Sequence, residues 1–97
     1  MRFCFTFRPR FSSAVKAAFL DRDGVINVDY AYVHSRENFH FIPGALEGAA
    51  ELVRKGHQLI IVTNQSGIGR GKYSIDQFRE LTFWLAGVFA RNHAPLS

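Results

Sequence analysis

Cysteine is nearly missing from this chain: Cys4 is the only one in 97 residues. No intramolecular disulfide can form, and such sparse use favours a reducing compartment. No apolar run approaches the ~20 residues that a membrane-spanning helix needs. The apolar stretch of the first segment is too short for a secretory signal. Its basic, acid-free composition and the pair Ser12-Ser13 give it some likeness to a transit peptide. Internal repeats and low-complexity segments are absent as well.

Acidic residues are also missing where they would balance charge. The first 16 residues hold Arg2, Arg8, Arg10 and Lys16 and no acid. Of the 12 cations, 8 remain from Ala17 to Ser97, against 8 anions. The formal net charge of +4 therefore belongs to the first 16 residues, and residues 17–97 are neutral. Four cations could give only salt-sensitive, non-specific affinity for nucleic acid. Neither a specific nucleic-acid partner nor a membrane is expected.

What is present is enough for one small core. Apolar residues make up 47% of the chain and charged residues 21%, a balance that excludes disorder as the default. The length allows at most one small domain. We divide it into a basic arm, residues 1–15, and a body, residues 16–97. In the arm Phe3, Phe5 and Phe7 alternate with Arg2, Cys4, Thr6 and Arg8, a period that suits a strand until Pro9 breaks it. With no evident partner, the arm is expected to be an extension.

The body reads as strand, loop, helix, strand, loop, helix. Val15 to Leu20 is apolar on both faces, as in a buried parallel strand, and stops at Asp21. Residues 23–44 read as an irregular loop or small hairpin insert. Pro43-Gly44 opens a helix whose Leu46, Ala49, Ala50 and Val53 recur at helical spacing, and Lys55-Gly56 closes it. Leu59 to Val62 is the strongest strand and ends at Thr63-Asn64. A glycine-rich turn over 66–71 follows. Ser74 and Gln77 form a capping box for a last helix with an apolar stripe of Phe78, Leu81, Leu85 and Val88, ended by Pro95. This order predicts an α/β fold with a parallel sheet and right-handed crossovers. Two strands and two helices cannot cover both faces of such a sheet, so the body is expected to be part of a larger fold.

The chemistry gathers at the two strand ends, where open α/β sheets bind their ligands. Asp21 and Asp23 flank Arg22 and precede Gly24. Carboxylates at i and i+2 in extended chain lie ~6–7 Å apart and point to one side. One could attack while the other moves a proton, and a divalent cation would relieve their repulsion. A lone pair of this kind would be no more than a solvated polar turn. The second strand end changes that, because Thr63-Asn64-Gln65-Ser66-Gly67 offers a hydroxyl, two amides and a turn rich in N–H groups, an anion cradle. Arg70 and Lys72 follow closely and add positive charge.

At these residues the sequence resembles the haloacid dehalogenase-like phosphohydrolases. Phe19 to Asn27 looks like their first motif, and Leu59 to Asn64 looks like their second. Asp29 to His34 and Thr63 to Lys72 are similar to the branch that holds heptose-bisphosphate and histidinol-phosphate phosphatases. A polynucleotide 3′-phosphatase is a more remote likeness, through the Gly67-to-Gly71 turn. The resemblance runs from about Lys16 to Leu85. It implies a Rossmannoid three-layer fold, represented here by its N-terminal half.

It further implies that Asp21 is the nucleophile of a cytoplasmic phosphatase and forms an aspartyl-phosphate. Asp23 would then protonate the leaving oxygen and afterwards activate water. Mg²⁺ would sit on the Asp21 carboxylate and the Asp23 main-chain carbonyl. Thr63 and Asn64 would bind the transferring phosphoryl group. Asp29, Tyr30, Ala31 and Tyr32, with Gln65 and Ser66, would contact a phosphorylated sugar. The implied setting is heptose supply for lipopolysaccharide or S-layer. The family's third and fourth motifs, a Lys and one or two further acids, have no match in these residues. Nor has the branch's Cys/His loop for structural Zn²⁺. Ala31 stands where relatives usually have Gly. A chain with only the first two motifs is expected to be a weak or inactive catalyst on its own, or a non-catalytic product that binds phosphate weakly.

Overall fold

The structure, a computed structural model, describes residues 2–5 and 16–96. The remainder of the arm, with Thr6, Phe7, Arg8, Pro9, Arg10 and Ser12-Ser13, lies outside them.

Three strands form one sheet: β1 (Arg2–Phe5), β2 (Lys16–Asp21) and β3 (His57–Asn64), in the order β1-β3-β2. β2 and β3 are parallel, with Lys16 level with His57 and Asp21 level with Val62. Helix α1 (Ala45–Arg54) is the crossover between them, as the strand–helix–strand pattern requires. The short helix α2 (Ser66–Gly69) and the long helix α3 (Ile75–Arg91) follow β3. The expected capping box is formed: Gln77 N donates to Ser74 Oγ at 3.1 Å, and Ser74 N donates to Gln77 Oε1 at 2.8 Å.

The arm departs from expectation. Arg2–Phe5 does find a partner, running antiparallel to β3 with Phe3 level with Thr63 and Phe5 with Ile61. The sheet is therefore mixed rather than purely parallel. The physical reason lies in the alternation and the ladder together. Phe3 turns to the helix side, where its ring stacks on Phe78 of α3 with centroids 4.5 Å apart. Exposed Arg2 and Cys4 take the opposite face. Backbone groups on that edge of β3 gain partners by this pairing. The same edge receives Leu96, which bridges to Leu59 in parallel sense.

Both long helices pack on the side of the sheet bearing Leu59 and Ile61. Ala49 of α1 and Leu81, Leu85 and Phe89 of α3 form one buried cluster with these residues, together with Ile26, Val33 and Phe39. Phe89, not Val88, is the last buried residue of the α3 stripe. Trp84 and Phe41 pack edge-on against or beside Phe39, which makes the Phe39-His40-Phe41 segment part of the core wall. On the opposite sheet face Phe19 is 63% exposed. Among the described residues no helix is long and apolar enough to cross a membrane.

Candidate active site

β2 and β3 deliver their carboxyl ends side by side, and the loop after β2 folds back over them. Asp23 bridges to Asn27, and Asn27 in turn to Phe41, so the expected irregular loop is pinned near its base. Between the strand ends and this loop lies a cavity of about 380 Å³. Asp21, Asp23 and Asp29 supply its acidic wall, and Asn64, Gln65 and Ser66 face them. Ala31 and Tyr32 close one side. Of the ten residues singled out in the sequence, eight therefore converge on one space. Tyr30 opens instead onto a neighbouring cavity, and Thr63 is buried beneath the floor.

Asp23 is the most constrained acid. Arg22 Nη2 donates to both its oxygens, at 3.0 and 3.2 Å, and Arg22 Nε adds a contact at 3.3 Å. Asn27 Nδ2 donates to Oδ1 at 3.0 Å, and Gln65 Nε2 to Oδ2 at 3.3 Å. Donors on two sides of the carboxylate fix its orientation. Asp21, by contrast, is exposed and makes no ion pair among the described residues. One acid is held and its neighbour is open to the cavity.

Three residues support the site through contacts that only the fold brings about. Arg22 is only 2% exposed, and while it grips Asp23 its Nη2 also donates to the Val33 carbonyl at 2.9 Å. It thereby ties the loop to the strand end. Tyr73 is buried and its hydroxyl donates to Gln65 Oε1, while Gln65 Nε2 also reaches Thr63 Oγ1 at 2.7 Å. Burial pushes the Tyr73 phenol above its ordinary value; nearby Arg22 opposes this and the negative charge of Asp23 adds to it. Gly67 is the third. A Cβ there would stand 2.3 Å from Tyr73 and 2.8 Å from Tyr32, so only glycine admits both rings. The Gly67 position was visible in sequence as part of a turn, but its ring contacts depend on the fold.

Ala31 and Tyr32 both hold left-handed backbone, with φ of 62° and 56°. Asp29 Oδ1 accepts from Ala31 N at 3.0 Å and stabilises the turn. Glycine adopts this conformation without penalty, which explains why it suits position 31.

The donor set meets part of what a divalent cation requires. Mg²⁺ takes oxygen ligands and keeps several waters. The open Asp21 carboxylate and the adjacent Asp23 carbonyl fit a partial shell of that kind. The Asp23 carboxylate is already occupied by nitrogen donors. Among the described residues no group of three or more His, Cys, Asp or Glu side chains is placed to enclose a metal.

Parallel strands ending in paired acids opposite an amide-rich turn define a class, and comparison with known proteins agrees. No family model matches the chain. The structure superposes on a candidate HAD-like phosphatase from Mesorhizobium loti with a TM-score of 0.82, at 30% identity over 98% of this chain and 46% of that one. The chain has the haloacid dehalogenase-like fold and is similar in sequence to phosphatases of that family over most of its length.

Within that class its sequence is similar to the D-glycero-β-D-manno-heptose-1,7-bisphosphate 7-phosphatases. It is 56% identical to the one from Haemophilus influenzae over 81 residues, 84% of this chain and 44% of the relative. For the one from Escherichia coli K12 the figures are 53% over 74 residues, 76% and 39%. The D,D-heptose 1,7-bisphosphate phosphatase from B. bronchiseptica, solved with magnesium and phosphate, gives a TM-score of 0.78 at 30% identity, covering 84% of this chain and 46% of that one. The chain thus spans less than half the length of the relatives it matches.

Proposed function

We propose that this chain carries the nucleophile half of a Mg²⁺-dependent phosphatase acting on a phosphorylated heptose in the cytoplasm, with the 7-phosphate of D-glycero-D-manno-heptose 1,7-bisphosphate as the bond cleaved. The observation that carries this reading is the convergence of Asp21, Asp23, Asn64 and Ser66 on one cavity at the ends of β2 and β3. The relatives' names supply the sugar.

In this mechanism an Asp21 carboxylate oxygen attacks phosphorus in line, forming the aspartyl-phosphate as the P–O bond to the sugar breaks. Asp23 gives its proton to the departing sugar oxygen. It then takes a proton from the water that hydrolyses the aspartyl-phosphate, which returns Asp21 and releases phosphate. The Arg22, Asn27 and Gln65 contacts hold Asp23 toward the cavity through both steps. Asn64 and the N–H groups opening α2 receive the phosphoryl oxygens, with Thr63 supporting Gln65 from below. Mg²⁺, when bound by the Asp21 carboxylate and the Asp23 carbonyl, neutralises phosphoryl charge.

Residues 1–97 include no match to the cationic third motif or to the acids of the fourth that the resemblance implies. Groups of this kind are each worth ~10²–10³ in rate, so slow release is expected when these 97 residues are assayed alone. The test is phosphate release from heptose 1,7-bisphosphate with Mg²⁺ present. Slow release that disappears in both Asp21→Asn and Asp21→Ala supports the assignment. Faster release from histidinol phosphate than from the heptose would move the substrate to the other branch. Absence of both release and inorganic-phosphate binding would overturn the reading.

A further inference from the structure

The cavity at the ends of β2 and β3 carries the wrong sign of charge for a phosphate. Three carboxylates line it and, among the described residues, no Lys or Arg does. Three cations meet its lining residues, and each is engaged. Arg22 is buried on Asp23 and the Val33 carbonyl, and Arg70 and Lys72 both lie against Tyr32. A phosphate entering beside Asp21 and Asp23 meets like charge, and the repulsion has to be offset by a cation.

β1 brings a cation to this end of the sheet. Arg2 is level with Asn64, the last residue of β3, and Asn64 lines the cavity. Residues level with each other on neighbouring strands point to the same face, with Cβ atoms ~4.5–5.5 Å apart. Asp21 is level with Val62, two positions before Asn64, so Arg2, Asn64 and Asp21 share the sheet face away from α1 and α3. In the strand order β1-β3-β2, Asn64 stands between the other two. Arg2 is exposed and makes no ion pair among the described residues. It lies in the arm, outside the segment from Lys16 to Leu85 that resembles the phosphatase family, so the resemblance gives it no role.

We infer that Arg2 is a phosphate-binding residue of this site, its guanidinium donating to an oxygen of the transferring phosphoryl group. The inference rests on the phosphatase reading above and deepens it with a cation from outside the family's motifs. A phosphoryl group held at Asn64 has the Asp21 carboxylate on one side and the Arg2 guanidinium on the other. The planar guanidinium can donate to two phosphoryl oxygens at once and keeps its charge at any working pH. Phe3, stacked on Phe78, holds β1 in the register that delivers it.

Calorimetric titration of the whole chain with inorganic phosphate at saturating Mg²⁺, and separately with Mg²⁺ alone, tests this. Arg2→Ala is expected to weaken phosphate binding about tenfold, as for one charge-assisted contact. Arg2→Lys should keep part of that affinity, since it keeps the charge and loses the fork. Mg²⁺ binding separates a direct contact from a structural role. Removing a cation near Asp21 leaves Mg²⁺ affinity unchanged or raises it, whereas loosening the strand ends lowers it. Phosphate affinity in Arg2→Ala within about twofold of the unsubstituted chain, or a joint fall in phosphate and Mg²⁺ affinity, overturns the role of Arg2 and leaves the phosphatase reading standing. Failure of the unsubstituted chain to bind phosphate overturns both.

Discussion

Gln65 Nε2 reaches Asp23 Oδ2 at 3.3 Å across 42 positions of sequence, and this contact couples the two strand ends. The same amide bonds Thr63 below it and accepts from Tyr73 behind it. Gln65 is thus the centre of a polar network in which the Thr63 and Tyr73 hydroxyls are buried and Asp23 opens to the cavity. Truncating it leaves Tyr73 and Thr63 hydroxyls without that partner. A buried polar group left unsatisfied costs ~1–3 kcal/mol. Gln65→Ala is therefore expected to lower stability by about 2 kcal/mol, read as the urea midpoint, and to loosen Asp23 as well.

Tyr73 gives a pH-dependent signature of the same network. Its phenol ionises less readily in the folded chain than in the unfolded one, chiefly because it is buried. The unfolded state therefore loses its proton first as pH rises above ~10, the ordinary tyrosine value. Fewer protons on the unfolded state mean that stability falls with rising pH. The contribution is complete below that value and lost above it. Melting temperatures measured from pH 9 to 11 should drop more steeply for the unsubstituted chain than for Tyr73→Phe. Parallel slopes would show that the phenol is not the group responsible.

Gly67 offers a test of packing rather than polarity. A methyl group there must displace the Tyr73 ring, the Tyr32 ring or both, since the approaches would be 2.3 and 2.8 Å. Overpacking of this kind costs ~1–3 kcal/mol. Gly67→Ala is expected to destabilise the chain within that range and to weaken phosphate binding, because Tyr32 lines the cavity. By contrast Gly48→Ala, where a Cβ meets nothing within 4 Å on an exposed face of α1, should be neutral or stabilising.

The division between legible and hidden features follows from interaction range. The parallel pair β2 and β3, α1, the capping box of α3 and the polar ends of those two strands rest on local pattern, so they are legible in the sequence. Arg22 stands in the sequence simply as the residue between two acids. Its burial, its grip on Val33 and its place over the Phe39 ring at 5.8 Å arise only when the loop folds back. Tyr73 lay past the glycine-rich turn with nothing to tie it to Gln65. The φ values of Ala31 and Tyr32 depend on Asp29 capping the turn. The pairing of residues 2–5 is hidden for a similar reason: their alternation is visible, but the edge of β3 that receives them is not.

That edge strand makes the last prediction. β1 is four residues long, and a strand of that length contributes little unless a side chain anchors it. Phe3 is the anchor, stacked on Phe78, which is itself buried in α3. An aromatic pair adds ~0.5–1.5 kcal/mol beyond the area it buries. Phe3→Ala should release β1 from β3 while leaving the parallel β2–β3 pair and the acid cluster in place. Amide exchange at Ile61 and Thr63, the β3 residues level with Phe5 and Phe3, would then accelerate. Exchange at Ala18 and Leu20, which belong to the other ladder, would not. Equal protection of both ladders after the substitution would show that backbone pairing alone holds the arm. Loss of protection in both would mean that β1 is integral to the sheet rather than an addition to its edge.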